Sequence, residues 1–528
     1  MKNLKNKIFS FANLFFYFVY FFICFSSVSF PGEPSSLSGK YKDYNVILII
    51  LDALRPDHLS CYGYAKETSP NIDLLAQRGV IFTNAFSQSH NTLPSVASIF
   101  SSLYPPSHGM EHIFKDKFPD NVYTLAEILN IYGYNTVWLG HKYDPHSGMA
   151  DGLLTGFEEQ YNISSELSVG LKVYDWTING SNKYHKTPFF LTIHSYLTHE
   201  TFFPFNKFDN SYNTPNSFID RLESLLIKKW EYMRYACENN PEELDIVFGN
   251  GWSKKNAKYF SQPYSQGNFW KIIYMQDLLV NRYRLLDYFR NKHINFILGS
   301  LNDIDIPFLL SLLDNSIHEL DENFIGRGIA ELKKINIYDK TIIIITADHG
   351  NEYREHGDIG HNYSIYDEVI RIPLIFYLPH LNKAVRINSL AQSIDIMPTV
   401  LDLLGIPLPH QAQGISLTGL IEKRPRAVVN DYIFVKSLDG SLAIRSQKWK
   451  LIRRSMGGTA GNNEFYNIQN DPLEKNNLIN MEPGIADIFK VELEAKISSL
   501  PKYNEKNSEF IKEIDPQTRE RIKKTGYW

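Results

Sequence analysis

With 528 residues, 43% apolar and 14% aromatic, the chain has material for one large buried core and a smaller one beside it. A net charge of −4 offers no polyanion-binding surface and excludes nucleic acid as a partner. Three cysteines, Cys24, Cys61 and Cys237, are too few and too scattered for a disulfide framework or a zinc–thiolate cluster.

The N-terminus carries Lys2, Lys5 and Lys7, then an uncharged apolar run over residues 8–25, then Ser27, Val28 and Ser29. Residues 1–30 therefore read as a secretory signal, or as an uncleaved membrane anchor, since the run approaches the length of a span. Either version predicts an extracytoplasmic protein, with possible membrane association through this segment. A polar linker follows over residues 31–43.

Residues 45–51, NVILIIL, form a continuous apolar, β-branched run, the pattern of a strand buried on both faces of a parallel sheet. Helical patterns are predicted at 69–78 and 125–132, and further strands at 136–139 and 189–194. KTIIIIT at 340–346 is the second fully buried strand; a strand at 374–377 and a helix around 396–404 come after it. This alternation predicts an α/β domain over residues 44–425, a mostly parallel or mixed central sheet sandwiched by helices. Residues 205–300 break the rhythm and read as a largely helical insertion. From residue 426 to 528 the pattern changes to short strands, with 441–445 and 449–453 as a hairpin, which predicts a small C-terminal β-sheet subdomain.

Open α/β sheets bind ligands outside the carboxyl ends of their strands. The first buried strand ends in Asp52; the second runs into Asp348, His349 and Gly350. Two carboxylates and an imidazole at strand ends suit a divalent cation, although Asp52 and Asp348 could also simply shape turns. A third element is SHNTLPSVASIFSS at 89–102, where Thr92 and Pro94 mark a helix start. Thr92 there is either an N-cap or a hydroxyl nucleophile, since a helix N-terminus favours a tetrahedral anion.

Four stretches together resemble the sulfatase family of the alkaline-phosphatase-like superfamily. They are NVILIILDALRPDHLSCYGYAKETSPNIDLLAQRGVIFTNAF, TLPSVASIFSSLYPPSHG, DKTIIIITADHGNEYREHGDIGHNYSIYDEVIRIPLIFY, and the run from SIDIMPTVLDLLGIPLP to KWKLIRR and FYNIQNDPLEKNNL. The resemblance implies metal ligands at Asp52, Thr92, Asp348 and His349, and cationic or imidazole groups around the leaving anion: His199 in YLTHETFFPF, His141 and Lys142 in WLGHKY, and His361 in IGHNY. His194 reads as a strand residue, and His141 and His361 admit structural roles as well.

Two departures matter. Sulfatases usually carry a second aspartate after the first, and here it is Ala53. The remaining mixture of carboxylates and imidazole leans towards one manganese or zinc ion, with calcium as the alternative. The family's Cys-or-Ser-x-Pro-x-Arg signature reads Thr92, Leu93, Pro94, Ser95, Val96, so formylglycine is not expected. A Thr92 ester lacks the second hydroxyl that expels sulfate, and in this the chain resembles threonine-nucleophile relatives such as nucleotide pyrophosphatase/phosphodiesterases, phosphoethanolamine transferases and lipoteichoic acid synthases. The resemblance thus implies a metal-dependent hydrolase of sulfate or phosphate esters, acting on a small anionic ester or a glycan- or lipid-linked one. The alternatives are a membrane-associated phosphoryl transferase and a non-catalytic, glycan-binding descendant of the fold.

Overall fold

The computed structural model describes residues 36–110, 117–140, 152–162, 187–199, 303–361, 364–381, 383–455 and 463–503, with isolated positions between 220 and 261. The N-terminal apolar run, His141, Lys142 and most of the 205–300 insertion lie outside the described residues. Among those described, no helix is long and apolar enough to cross a membrane.

The central sheet is built on the two apolar runs. β1 (Asn45–Leu51) is buried at every position, as the absence of polar alternation requires. In chain order the other strands of this sheet are β2 (Gly79–Phe86), β3 (Asn135–Gly140), β4 (Glu159–Asn162), β5 (Phe189–Ser195), β6 (Thr341–Thr346), β9 (Arg371–Tyr377) and β10 (Val385–Gln392); a two-stranded ribbon, β7 (Glu352–Tyr353) with β8 (Ile359–Gly360), lies between β6 and β9 in sequence. The spatial order is β10-β2-β9-β6-β1-β5-β3-β4. β9 runs antiparallel to both its neighbours, and the remaining pairs are parallel, so the sheet is mixed as predicted.

Helices α1 (Pro70–Gln77), α2 (Thr92–Ser101), α3 (Leu125–Ile131), α4 (Ile306–Leu320) and α5 (Ile396–Leu404) join the sheet in one hydrophobic core. Full burial of Phe100 and Trp138, packed edge to face with ring centroids 6.0 Å apart, locks α2 against β3. The smaller antiparallel sheet has the order β11 (Ile433–Lys436), β12 (Leu442–Arg445), β13 (Trp449–Arg453) and β14 (Glu464–Asn467), and α6 (Pro483–Ser499) covers it through Phe489 and Leu493. The predicted hairpin is the β12–β13 pair.

Two features bring the small sheet to the large one. The Lys436 amide donates to the Gln88 carbonyl at 3.0 Å, and the Ser89 hydroxyl donates to the Lys436 carbonyl at 3.0 Å. Beneath the sheet, Asp367 accepts from Arg445 and Lys450, which lie on adjacent strands. Lys450 also pairs with Glu474, and it is fully buried, so the pairing offsets a desolvation cost that the lysine alone could not bear.

Candidate active site

β1 lies between β6 and β5, with Ile50 in register with Thr346 on one side and with His194 on the other. This register delivers Asp52, the segment after β6 and the end of β5 to one edge. The chain turns sharply after Asp52 because Ala53 adopts a left-handed φ of 57°, a conformation that costs an L-residue about 1–2 kcal/mol. Two hydrogen bonds hold the turn: the Ala53 amide donates to Asp348 Oδ1 at 3.2 Å, and the Thr198 hydroxyl donates to the Asp52 carbonyl at 2.7 Å. Gly350 lets the second segment close, since a Cβ there would run into the Glu368 carbonyl oxygen.

Asp52, Asp348 and His349 are fully buried, and their ligating atoms lie within 4.8 Å of one another. His349 Nδ1–H donates to the Gly350 carbonyl at 2.8 Å, which turns the Nε2 lone pair towards Asp52 Oδ1 at 3.7 Å and Asp348 Oδ2 at 3.6 Å. Neither of those two carboxylate oxygens has a hydrogen-bond partner. Burial works against ionisation of Asp52, yet His199, His194 and His349 around it hold its pKa below the usual carboxylate range. Burial, reinforced by the charge of Asp52, pushes Asp348 the other way. A lone pair facing two partnerless carboxylate oxygens is costly by itself and fits a divalent cation.

Thr92 is the first residue of α2, and Asn91 is the N-cap, so the capping reading of Thr92 does not hold. Its hydroxyl donates instead to Asp52 Oδ2 at 3.3 Å and lies 3.4 Å from His349 Nε2. The side chain is half-buried, which leaves a face open to a ligand.

Three histidines complete the edge. His199 Nε2 lies 3.9 Å from Asp52 Oδ1 and 3.4 Å from His361 Nε2. His361 follows β8, and its ring lies against that of His349, tilted by 38° with centroids 4.3 Å apart. Burial and the three neighbouring imidazoles hold His361 well below its ordinary pKa, as a neutral ring. His194 lies in β5 as predicted, but its ring is aimed into the site, with Nε2 3.5 Å from Asp52 Oδ2 and 3.9 Å from Asp348 Oδ2. Neither of its ring nitrogens has a hydrogen-bond partner. The other residue that sequence reasoning misses is His90, two positions before Thr92; its signal is an imidazole beside a helix start that reads first for its hydroxyl.

A hydroxyl at a helix start, a cation-ready cluster and imidazoles opposite it can together open an oxyanion ester. Fold and site thus define a metal-dependent ester hydrolase. Residues 44–406 match the family model described as Sulfatase, which is more than half of the chain, and the chain belongs to the sulfatase family. Residues 355–502 match the model described as N-sulphoglucosamine sulphohydrolase, C-terminal.

The chain is 24% identical over 524 residues to an N-acetylglucosamine-6-O-sulfatase of Bacteroides thetaiotaomicron, covering 90% of this chain and 88% of the relative. It is 24% identical over 482 residues to an arylsulfatase of Clostridium perfringens, covering 83% and 90%. A solved structure in complex with its substrate D-glucosamine-2-N,6-O-disulfate aligns with a TM-score of 0.62 at 22% identity, covering 88% of this chain and 100% of that one. The phosphonate monoester hydrolase of Agrobacterium radiobacter aligns with a TM-score of 0.59 at 19% identity, covering 86% and 95%.

Proposed function

We propose that this enzyme hydrolyses esters through a Thr92-bound intermediate and prefers phosphate to sulfate esters. The carrying observation is the Thr92 hydroxyl, which bonds to Asp52 Oδ2 at 3.3 Å and leaves the capping position to Asn91. Asp52, Thr92, Asp348 and His349 would hold one divalent ion, manganese or zinc by the donor set. When bound, such an ion supplies charge neutralisation for the oxyanion and for the threonine oxygen.

The remaining steps belong to the chain. Thr92 Oγ1 attacks phosphorus, its proton passing to the acceptor it already has, Asp52 Oδ2. The bond to the leaving oxygen breaks, and His199 donates a proton to that alkoxide. Free N–H groups at the start of α2 favour the transferred anion. Water then attacks phosphorus and gives up a proton to His199, the bond to Thr92 breaks, and the threonine oxygen recovers its proton from Asp52 Oδ2. Thr92 has no second hydroxyl with which to expel sulfate, which supports the phosphoester preference.

The substrate on this reading is a small anionic ester or one carried on a glycan or lipid, met outside the cytoplasm. Relatives named for sulfated amino sugars support the glycan, and the phosphonate monoester hydrolase supports phosphorus chemistry. The apolar run over residues 8–25 favours a second reading, in which an acceptor alcohol at the membrane replaces water. His141 and Lys142 are proposed as further groups on the anion.

A panel of p-nitrophenyl sulfate, phosphate and phosphodiester substrates tests the preference, with mass spectrometry of the Thr92 peptide after rapid quenching. A phosphorylated Thr92 and faster phosphoester turnover are expected. Sulfatase turnover well above phosphoesterase turnover would overturn the preference, and normal turnover by Thr92→Ala would overturn the nucleophile.

A further inference from the structure

Two backbone segments far apart in sequence are tied at the site by a reciprocal pair of imidazoles. His90 Nδ1–H donates to the His361 carbonyl at 2.7 Å, and His361 Nδ1–H donates to the His90 carbonyl at 3.0 Å. Each ring thus holds the other's main chain, across 271 positions of sequence. A third bond closes the arrangement from behind, where the Leu438 amide donates to His90 Nε2 at 3.2 Å. Leu438 belongs to the turn after β11, so this bond comes from the small sheet. His90 is 1% exposed and His361 6% exposed.

These bonds fix tautomers as well as positions. An amide N–H pointing at His90 Nε2 requires a lone pair there, and the proton therefore sits on Nδ1, where the His361 carbonyl accepts it. In His361 the proton on Nδ1 likewise leaves Nε2 as an acceptor, facing His199 Nε2 at 3.4 Å. His90 also stands two residues before Thr92. One side chain thereby sets the height of the nucleophile's helix start relative to the imidazole pair across the site.

We infer that His90 is a positioning residue, held by the Leu438 amide of the small sheet, that fixes His361 and so the His361–His199 pair relative to Thr92. On the reading proposed above His199 is the proton donor, and His361, 3.4 Å from it, is one of the groups the family resemblance puts around the anion; His90 acts through His361 without touching substrate. The small sheet is then part of the scaffold of the active site, reaching it through the Leu438 amide on this ring beside the bonds of Lys436 to Gln88 and Ser89.

The test uses the full chain loaded with its metal, and the best p-nitrophenyl ester of the panel above. His90→Phe keeps the ring volume and removes both nitrogens. Its kcat should fall about tenfold to a hundredfold, the scale of a displacement near 1 Å, with KM within about twofold of wild type and metal content unchanged. His90→Asn keeps an N–H donor near the position of Nδ1 and should recover most of the lost kcat. A purely structural role predicts instead that both variants lose melting temperature while the kcat of the folded fraction stays at the wild-type value, and that result would overturn the inference.

A double-mutant cycle with His361→Ala separates the two readings. Action through His361 predicts that His90→Phe costs little more once His361 is gone. Additive losses would overturn the His90 inference while leaving the proposed role of His361 intact. An unchanged kcat in His361→Ala would overturn both.

Discussion

The Thr92 hydroxyl reaches Asp52 Oδ2 at 3.3 Å across 40 positions of sequence, joining the start of α2 to the end of β1. Because Asn91 occupies the N-cap, Thr92 is spared that work, and its removal has little to do with helix stability. Thr92→Ala should therefore cost less than about 1 kcal/mol of stability, below the usual loss of a cap, while removing nearly all turnover. Thr92→Ser keeps the attacking oxygen and should keep measurable activity. Thermal melting and single-turnover kinetics on the same preparations check both halves; an Ala variant that turns over normally sinks the nucleophile.

Metal removal should be visible without any assay of turnover. The partnerless oxygens of Asp52 and Asp348 face the His349 lone pair, so an ion that fills the gap binds the folded state only. Zinc or manganese at 100 times its dissociation constant should raise stability by about 2.7 kcal/mol over chelator-treated protein. Asp348→Asn should lose most of that increment. Equal melting temperatures with and without metal, in wild type, would count against the site.

His194 provides a separate check on the same cluster. Its Nε2 lies 3.5 Å from Asp52 Oδ2, and both of its ring nitrogens lack partners. Whether it ligates or orients Asp52, His194→Ala should weaken metal binding about tenfold to a hundredfold, the range found for groups that position ligands. Calorimetric titration with zinc measures this directly. Wild-type affinity in the variant would reduce His194 to packing against Trp138 and Tyr196, whose rings lie 5.9 and 4.8 Å away.

Acid should loosen the contact between Asp367 and the small sheet. Burial opposes ionisation of Asp367, but Arg445 and Lys450 beside it hold its pKa well below the usual carboxylate range. The folded state thus binds this proton less readily than the unfolded chain. Its stabilisation is complete above about pH 4, the unfolded carboxylate value, and is lost as pH falls towards the folded value. Asp367→Ala takes the carboxylate from buried Arg445 and leaves Lys450 with Glu474 alone, and should cost about 3–5 kcal/mol at pH 7. The gap in melting temperature between wild type and Asp367→Asn should stay level from about pH 7 to about pH 5 and shrink as pH falls below about 4; a gap that stays constant there too would exclude Asp367 from the acid response.

Much of this architecture is legible in the amino-acid sequence alone. NVILIIL and TIIIIT read as buried parallel strands because both faces of such strands are covered, so no polar alternation interrupts them. Asp52, Asp348 and His349 follow as site residues because strand ends in open α/β sheets are where ligands bind. Helix α5 is predicted at its observed span, since Gly405 in a left-handed conformation stops it where the sequence shows a glycine. By contrast β10, with a register shift between Ile387 and Leu390, carries exposed and buried residues in no regular alternation, and its sequence pattern does not announce a strand.

The sequence by itself therefore determined the buried strands at the centre of the sheet and the two carboxylates and imidazole that follow them, because each of these rests on local pattern or on position after a strand. Only the tertiary structure decided which imidazoles lie together. His194 lies in a strand, and nothing in its own segment says that its ring points at Asp52; the register of β5 on β1 decides it. His90 and His361 are 271 positions apart, and their mutual hydrogen bonds exist only once β7 and β8 have turned the chain back against the start of α2. Ring orientation and tautomer depend on which carbonyl or amide arrives opposite each nitrogen, and that partner comes from another part of the chain.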